Sequence, residues 1–521
     1  MTVELIKNAD RTSEHGLSAL ASSMLHASNF NQDQINELLN GPADIQPSHA
    51  PCIMQARDRI LKAKKNGEKV FVGGDYDTDG LTSVAIMKYT LDHLGIPNGY
   101  YIPNREKDGY GLKPVIVSMA IAKGYTLFIT VDNGVSAFDA IKTVHDAGLE
   151  IIVTDHHLIG EDPHADILVH PDFLEPEAQT LSGAGVALLL AMSLLGDDLP
   201  SLKLLAGIAQ VSDVMPMWGD ARALVKRAIK TGPDAVPVLQ LLTGSAKTFN
   251  EETIGFQIAP RLNAIGRMND PALSVNTIPK VLLSTDPAIT LKASSMIESI
   301  NAARKDITAK MLDKAEKSAD PSAGIIVIYD PSIPSGVCGV VAGHVVTQFH
   351  KPAIVLSGTG TVTGSARSTA GFDIKSYLDG WDKFVAFGGH AMAAGMSLNE
   401  KDVPAFAEFC AKADVPDTGS GDLALAVKPA DVTVASIEEL DRLRPFPKEM
   451  TTVVALPWES GTEVKVFPKV TKVCLPSGIE GVFFPSSGVN IPEHPQWMIG
   501  TLGINSWNGN ETPQMLISDV I

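Results

Sequence analysis

Cysteine is scarce. Only Cys52, Cys338, Cys410 and Cys474 occur in 521 residues, far apart and without a CxxC pair. That spacing excludes zinc ribbons and disulfide frameworks and makes a reducing cytoplasm the expected location. Basic residues are also short, with 42 Lys and Arg against 60 Asp and Glu and a formal net charge of -18. This balance argues against a protein that coats nucleic acid non-specifically, but leaves room for one that holds it in a local basic groove. No run of about 18 uninterrupted apolar residues exists, and the opening MTVELIKNADRTSEHG lacks a basic segment followed by an apolar one. Neither a membrane span nor a signal peptide is expected. Fixed-period repeats and low-complexity segments are missing as well. What remains is an ordinary globular composition, 45% hydrophobic and 20% charged, long enough for roughly three or four domains.

Against that background one stretch stands out, VFVGGDYDTDG from Val70 to Gly80. An apolar run ends in three carboxylates at alternate positions, Asp75, Asp77 and Asp79, followed by glycine and a helical stretch. Such a cluster repels itself unless cations neutralise it. The D-x-D-x-D-G spacing imitates half of an EF-hand loop, but the twelfth position is Ile86 rather than Glu and a strand precedes it. A solvated turn with Asx-type hydrogen bonds is the other simple account.

Residues 1–50 are polar, with helices expected around Leu17–Ser28 and Asp33–Leu39, and form a helical lead-in. A short helix over Ala56–Asn66 feeds the first strand. Strands are then expected at Val70–Gly74, Thr126–Asp132, Ile151–Asp155 and Ile167–His170, with helices at Thr82–Leu94 and Ala137–Ala147. This alternation predicts a mostly parallel sheet covered by helices on both faces. Three of the strands end in Asp75-Asp77-Asp79, in Asp132-Asn133 and in Asp155-His156-His157. Ligands of such sheets bind at the carboxyl ends of strands. Apolar helices over Ser182–Leu195 and Leu202–Val211 follow, the second leading into Asp213.

The loop IPNREKDGYGL carries Arg105, and GFQIAPRLNAIGRMND carries Arg261, Asn263 and Arg267. These side chains could clamp phosphates or base edges, or simply cap a loop. A long, mostly helical stretch over 282–319 suits a connection between domains. A second alternating region begins at Gly324, with loops at Thr363–Ser368 and Phe387–Ala391. They bring Ser365, Arg367, Gly389 and His390, as ligand contacts or as tight turns. The segment DVPDTGSGD at 414–422 marks a linker. Beyond it, short strands point to a small all-β, OB-type domain in which Phe483, Phe484, Trp497 and Trp507 could stack bases or fill the core.

Gathered at one rim, six carboxylates and two imidazoles favour Mg²⁺ or Mn²⁺, the imidazoles tilting the choice to Mn²⁺. They exceed the needs of one ion, so two ions about 3.5–4 Å apart are expected, with hydrolysis of a phosphate ester or anhydride as the reaction class.

The motifs DYDTDG, VDNGVS, VTDHHLIG and SDVMPM resemble the four acidic motifs of the DHH phosphoesterase superfamily. GVCGVVAGH, GSARST and FGGHAMAAG resemble its DHHA1 partner domain. IPNREKDGYGL and APRLNAIGRM resemble the RecJ branch of single-strand-specific exonucleases. The resemblance implies a DHH domain at 51–275, a connecting helix at 276–320, a DHHA1 domain at 321–413 and an OB-like domain at 423–521. It further implies Asp77, Asp79, Asp132, His156 and Asp213 as metal ligands, with Asp132 bridging. Asp75 and Asp155 would support that shell, and His157 would contact the scissile phosphate. Arg105, Ser365 and Arg367 would hold a 5′-terminal phosphate, and Arg261, Asn263, Arg267, Gly389 and His390 would grip the strand. The implied activity is 5′-to-3′ hydrolysis of single-stranded DNA to mononucleotides in repair and recombination. The chain would work as a monomer supplied by a single-strand-binding protein or a helicase. Departures from the pattern are Ile333-Pro334-Ser335-Gly336, where the branch carries a Trp-His pair, His344 in place of an arginine, and RPFPKEM without a PFG-type turn. Rival expectations are a phosphodiesterase of short oligonucleotides or cyclic dinucleotides, a manganese pyrophosphatase, and a non-catalytic replication scaffold, the last of which predicts eroded metal ligands.

Overall fold

The computed structural model describes residues 4–6, 16–105, 107–244, 248–318, 320, 322–416, 423–484, 489–507 and 509–521. None of its described helices is long and apolar enough to cross a membrane. The chain forms two compact units, residues 43–215 with 219–418, and residues 1–42 with 216–218 and 419–521.

The larger unit opens with five strands, β1 (Val70–Gly73), β2 (Asn98–Tyr101), β3 (Leu127–Val131), β4 (Glu150–Thr154) and β5 (Ile167–Val169). They lie in the order β2-β1-β3-β4-β5, and every pair is parallel. β1 and β3 are buried at every position, as strands covered on both faces must be. One face packs Val72 and Ile129 against α1 (Pro51–Asn66), α2 (Thr78–His93), α3 (Gly183–Leu195) and α4 (Pro200–Ser212), through Ile53, Val84, Leu188 and Leu205. The other packs Phe71 and Phe128 against helices Pro114–Ala122 and Phe138–Asp146, through Val117 and Ile141. In this strand order the chain reverses direction between β1 and β3, the switch point at which a crevice opens outside the strand ends.

Several local expectations shift. α2 starts at Thr78, four residues before the expected Thr82, because the Asp77 side chain accepts from the Gly80 N–H at 3.1 Å and caps the helix. Asp79 therefore stands in the first helical turn. The segment expected as the loop APRLNAIGRM is α5 (Ala259–Met268), continuing a π-helical turn at Ile254–Ile258. β2, which the alternation of motifs did not mark, is an edge strand.

The helix α6 (Pro287–Ser318) leads into a second sheet of β6 (Ile326–Tyr329), β7 (Ala353–Ser357), β8 (Thr361–Arg367), β9 (Phe384–His390) and β10 (Ala393–Asn399). The order is β9-β10-β8-β7-β6, with only β6 and β7 parallel. α7 (Ser335–Phe349) packs on it through Val337, Val341 and Val345. Thr363–Ser368 and Phe387–Ala391 were expected as loops; most of each is strand, since glycine and serine are tolerated where the opposite strand's backbone comes close.

The smaller unit holds an eight-stranded sheet in which Glu4–Ile6 pairs in parallel with Leu423–Ala426. Leu17, Leu20, Met24 and Leu38 share one core with Leu425, Val454, Met498 and Ile517. Residues 1–42 are thus part of the C-terminal unit and not a separate lead-in. This strand-rich region also contains the helix Val434–Leu440. The linker expected at 414–422 falls mostly outside the described residues. Of the four aromatic candidates there, Phe483 is core, Trp497 is half-buried, and Phe484 and Trp507 are exposed.

Candidate active site

Every acidic strand end of the first sheet reaches the same crevice. His156 Nε2 lies 3.1 Å from Asp132 Oδ1, 3.5 Å from Asp79 Oδ2 and 3.6 Å from Asp213 Oδ2. Three triads of ligand atoms, each within 4.8 Å, can be drawn here: Asp132-His156-His157, Asp79-His156-Asp213 and Asp75-Asp77-Asp132. The last brings Asp75, expected as a supporting group, to the same distance as its neighbours.

Each group is placed by a specific local device. Asp132 leaves β3 in the left-handed region at φ 59°, uncommon for a residue with a side chain though least so for Asp and Asn. Gly183 makes room for it: a Cβ at that position would lie 2.6 Å from Asp132 Oδ1. Asp79 faces the N-terminus of α3, accepting from the backbone N–H of Gly183 at 2.7 Å and of Ala184 at 2.6 Å, and from Ser182 Oγ at 3.2 Å. Helix N-termini favour such carboxylates. Asn133 locks the crevice floor: its Nδ2 donates to Gly73 O at 3.1 Å and Val131 O at 2.9 Å, and its Oδ1 accepts from Leu112 N–H at 3.2 Å. Val214, directly after Asp213, also has a positive φ, 55°, which for a β-branched residue is real strain.

The electrostatics divide the groups by role. Burial raises Asp75 well above the usual carboxylate range, with Asp77 adding to it. Asp132 is raised by burial and then by Asp79, and Asp213 goes to about 7 by burial and the charges of Asp79 and Asp77. Carboxylates in this state lack countercharge. Asp132 Oδ1 and Asp75 Oδ1 are buried without a hydrogen-bond partner among the described residues. Cations of charge two, bound by hard oxygen atoms and one or two imidazoles, fit that deficit. Burial lowers His156, which favours the neutral imidazole a metal requires.

Asp155 behaves differently. Its Oδ1 accepts from the N–H groups of His156 (2.8 Å) and His157 (3.2 Å) and faces His157 Nδ1 at 2.8 Å, while Oδ2 accepts from Val135 N–H at 3.0 Å. Burial would raise Asp155, but the His157 contact outweighs it and the carboxyl is lowered. Reciprocally, burial would lower His157, but Asp155 carries it up to about 9. His157 is a fixed cation facing the crevice. Tyr110, within IPNREKDGYGL but given no role by the sequence, stands 3.3 Å from the His157 ring and donates to Asp132 O at 3.3 Å. Its position between two glycines of the loop was the only hint of a role.

Beside the carboxylates lies a cavity of about 170 Å³ lined by Asp75, Tyr76, Asp77, Arg105, Tyr110, His157, Asn263, Gly266 and Arg267. Arg105 rests over the Tyr76 ring at 5.3 Å. Burial and the nearby Arg105 lower Arg267 to about 10, opposed by Asp77, with Arg367 and Arg304 adding to the repulsion. Burial and Arg105 likewise lower Arg367. Uncompensated guanidinium groups crowded together are a ready anion site. Ser365 and Arg367, on β8, face Gly339 of α7, where a Cβ would lie 3.5 Å from Ser365 Oγ and 2.8 Å from Arg367 Nη2.

Four expected contacts are placed otherwise. Arg261 turns to Glu298 at 2.5 Å and to Gln257 O at 2.8 Å, outside the cavity lining. Asn263 lines the cavity, but its Oδ1 accepts from both the N–H and the hydroxyl of Thr78 at 2.8 Å, fastening α5 to the first acidic motif. Gly389 and His390 stand on the edge strand β9, outside the cavity lining. Gly389 packs on β10, where a Cβ would lie 2.4 Å from Ala393 O.

Comparison with known proteins gives a consistent result. Residues 69–210 match the DHH family, N-terminal domain, and residues 322–413 match the DHHA1 domain. The single-stranded-DNA-specific exonuclease RecJ of Bacillus subtilis (strain 168) is 34% identical over 504 residues, which is 89% of this chain and 63% of that protein. Its counterpart in Haemophilus influenzae is 31% identical over 402 residues, 70% of this chain and 69% of that protein. The crystal structure of RecJ in complex with Mn²⁺ from Thermus thermophilus superposes with a TM-score of 0.83 at 27% identity, covering 97% of this chain and 76% of that one. The chain spans less than two thirds of the Bacillus subtilis protein's length.

Proposed function

The chain belongs to the RecJ branch of the DHH–DHHA1 phosphoesterases, and from that premise we propose that it is a metal-dependent exonuclease that hydrolyses single-stranded DNA from a 5′ end. One observation carries this reading: Asp75, Asp77 and His157 of the carboxylate–imidazole cluster line one cavity together with Arg105 and Arg267, and Arg367 lies near enough for its charge to act on Arg267. A terminal phosphate held by the arginines would place a later phosphodiester against the carboxylates. Cutting then proceeds by small units from one end.

Asp77, Asp79, Asp132, His156 and Asp213 would hold two divalent cations, Mn²⁺ in preference to Mg²⁺, with Asp75 close enough to join them. When bound, such ions neutralise charge on the phosphoryl group and activate water. The remaining work belongs to the chain. His157, kept cationic by Asp155 and steadied by Tyr110, donates to a non-bridging oxygen of the scissile phosphate and stabilises the charge that develops there. Asp155 is a positioning residue with its oxygen atoms committed to the His156 and His157 backbone, the His157 ring and Val135. Arg105, Ser365 and Arg367 bind the terminal phosphate, and Asn263 keeps the first acidic motif in register with α5. The reading carries with it a cytoplasmic monomer supplied with strand by a single-strand-binding protein or a helicase.

Product analysis on 5′- and 3′-labelled single and double strands, with Mn²⁺ or Mg²⁺, tests it. Mononucleotides released first from the 5′ end of single strands are expected. Activity confined to di- to pentanucleotides would replace this reading with a short-oligonucleotide phosphodiesterase, and inertness on every substrate with a non-catalytic scaffold.

A further inference from the structure

The most exposed aromatic side chain among the described residues of the larger unit is Phe256, 81% accessible, in the π-helical turn Ile254–Ile258 that opens into α5. It is no stray surface residue. Ile254, Ile258, Leu262 and Ile265 form the buried stripe of this segment, while Phe256, Pro260, Asn263 and Arg267 recur at spacings of four, three and four on another face, Phe256 exposed and the other three partly buried. Three levels are marked along that face. Arg267 stands at the arginine group. Asn263, one turn back, is bonded to Thr78 and to Ser212 Oγ at 3.4 Å, next to Asp213. Phe256 lies seven residues further, roughly 10 Å beyond Asn263 at about 1.5 Å per residue. It also adjoins the end of α4 that delivers Asp213, since a Cβ on its neighbour Gly255 would meet Val211 Cγ1 at 3.5 Å. The π-turn is anchored by Ala259 N–H bonding to Ile254 O, and such turns are frequent at functional sites.

Resting on the exonuclease reading, we propose that Phe256 is a stacking platform for a base on the 3′ side of the scissile phosphate, beyond the first nucleotide after the cut. A strand with its 5′-phosphate at the arginines and its next phosphates at the carboxylates continues along α5 toward Phe256. Base–aromatic stacking accepts any base, as an enzyme that shortens arbitrary sequence requires. Arg267, Asn263 and Phe256 then act as one ruler, fixing the end, the cut and the departing strand.

The full chain and its Phe256→Ala, Phe256→Leu and Phe256→Trp variants are compared on a 5′-phosphorylated single strand of about twenty nucleotides and on a 5′-phosphorylated dinucleotide. Phe256→Ala is expected to raise KM on the long strand about tenfold, the effect of losing one stacked base, and by less than twofold on the dinucleotide. Phe256→Trp restores the long-strand KM and Phe256→Leu does not. A KM within twofold of the parent on the long strand, an equal loss on both lengths, or full rescue by Leu overturns the stacking role while the exonuclease reading stands. Failure of the parent to cut the long strand overturns both.

Discussion

Asp132 concentrates the demands of the site at one residue. Its backbone is left-handed, its carboxylate is buried and raised by burial and by Asp79, and one oxygen has no hydrogen-bond partner among the described residues. Asp132→Ala is expected to lower Mn²⁺-dependent hydrolysis below about 1% of the parent, at or beyond the 10- to 100-fold losses seen when groups supporting a metal are removed. The circular dichroism spectrum should be unchanged. Asp132→Asn removes the buried acid while keeping a side chain that the left-handed backbone tolerates, so the Tm of the metal-free protein rises; a fall would mean that the Asp132 carboxylate is structural. On β8, Arg367→Ala removes a charge-assisted contact and should reduce the preference for a 5′-phosphate over a 5′-hydroxyl roughly tenfold. Equal rates on the two ends in the parent would remove the terminal-phosphate pocket from the assignment. At this scale much was legible, because strand ends carrying Asp and His cannot be explained by a fold alone. Tyr110 and Asn133 were not, since a tyrosine in a glycine loop and an asparagine after a strand have many uses, and only the folded crevice selects one.

At the scale of elements, the α3 N-terminus and α6 make separate, testable contributions. Gly183 belongs to a helix, yet a Cβ there would clash with Asp132. Gly183→Ala should weaken Mn²⁺ binding at least tenfold by calorimetry while slightly favouring the helix itself, and unchanged affinity would show that the crevice yields. Lys314 of α6 donates to Asp330 after β6 at 2.6 Å, and the Lys314 and Ser332 contacts bring Asp330 down to about 2. The folded value lies below the unfolded one of about 3.9, so the stabilisation is full above about pH 4 and disappears as pH falls through 2. Asp330→Asn should cost about 1–2 kcal/mol at pH 7, allowing for the partly exposed lysine, and the difference in Tm should close below about pH 2. A gap that persists in acid would assign the loss to packing. Elements rich in apolar runs were legible from the sequence, as β1 and β3 are. α5 and β8 were not: Pro260, Gly266 and the Gly364-Ser365 pair look like breakers, but Gly266 is there because a Cβ would meet Tyr76 O at 2.4 Å.

For the molecule as a whole, the division into units follows contacts between the chain's two ends rather than sequence order. A fragment of residues 43–416 should fold and retain hydrolysis of short strands, measured by turnover and a cooperative melt. Residues 419–521 alone should be insoluble or molten unless residues 1–42 are supplied, because Leu17, Leu20 and Met24 complete their core. A cooperative melt of 419–521 by itself would refute that. No local pattern could have announced this pairing, which depends on residues remote in sequence and on strands too short to be distinctive.

The pairing also sets an order of events during synthesis. Ser18 N–H donates to a carboxylate oxygen of Glu439, 421 residues later. At about 5–20 residues per second, the first helix leaves the ribosome roughly 20 to 80 seconds before its partner exists. Throughout that interval an apolar stripe is displayed with nothing to cover it, while the first parallel sheet can already close behind it. The strands after residue 423 complete a core that the helix at Ala19–Ala27 begins, so a nascent chain stalled after residue 367 and before residue 423 would carry an assembled crevice and an uncovered apolar helix, a species that holdase chaperones would be expected to meet.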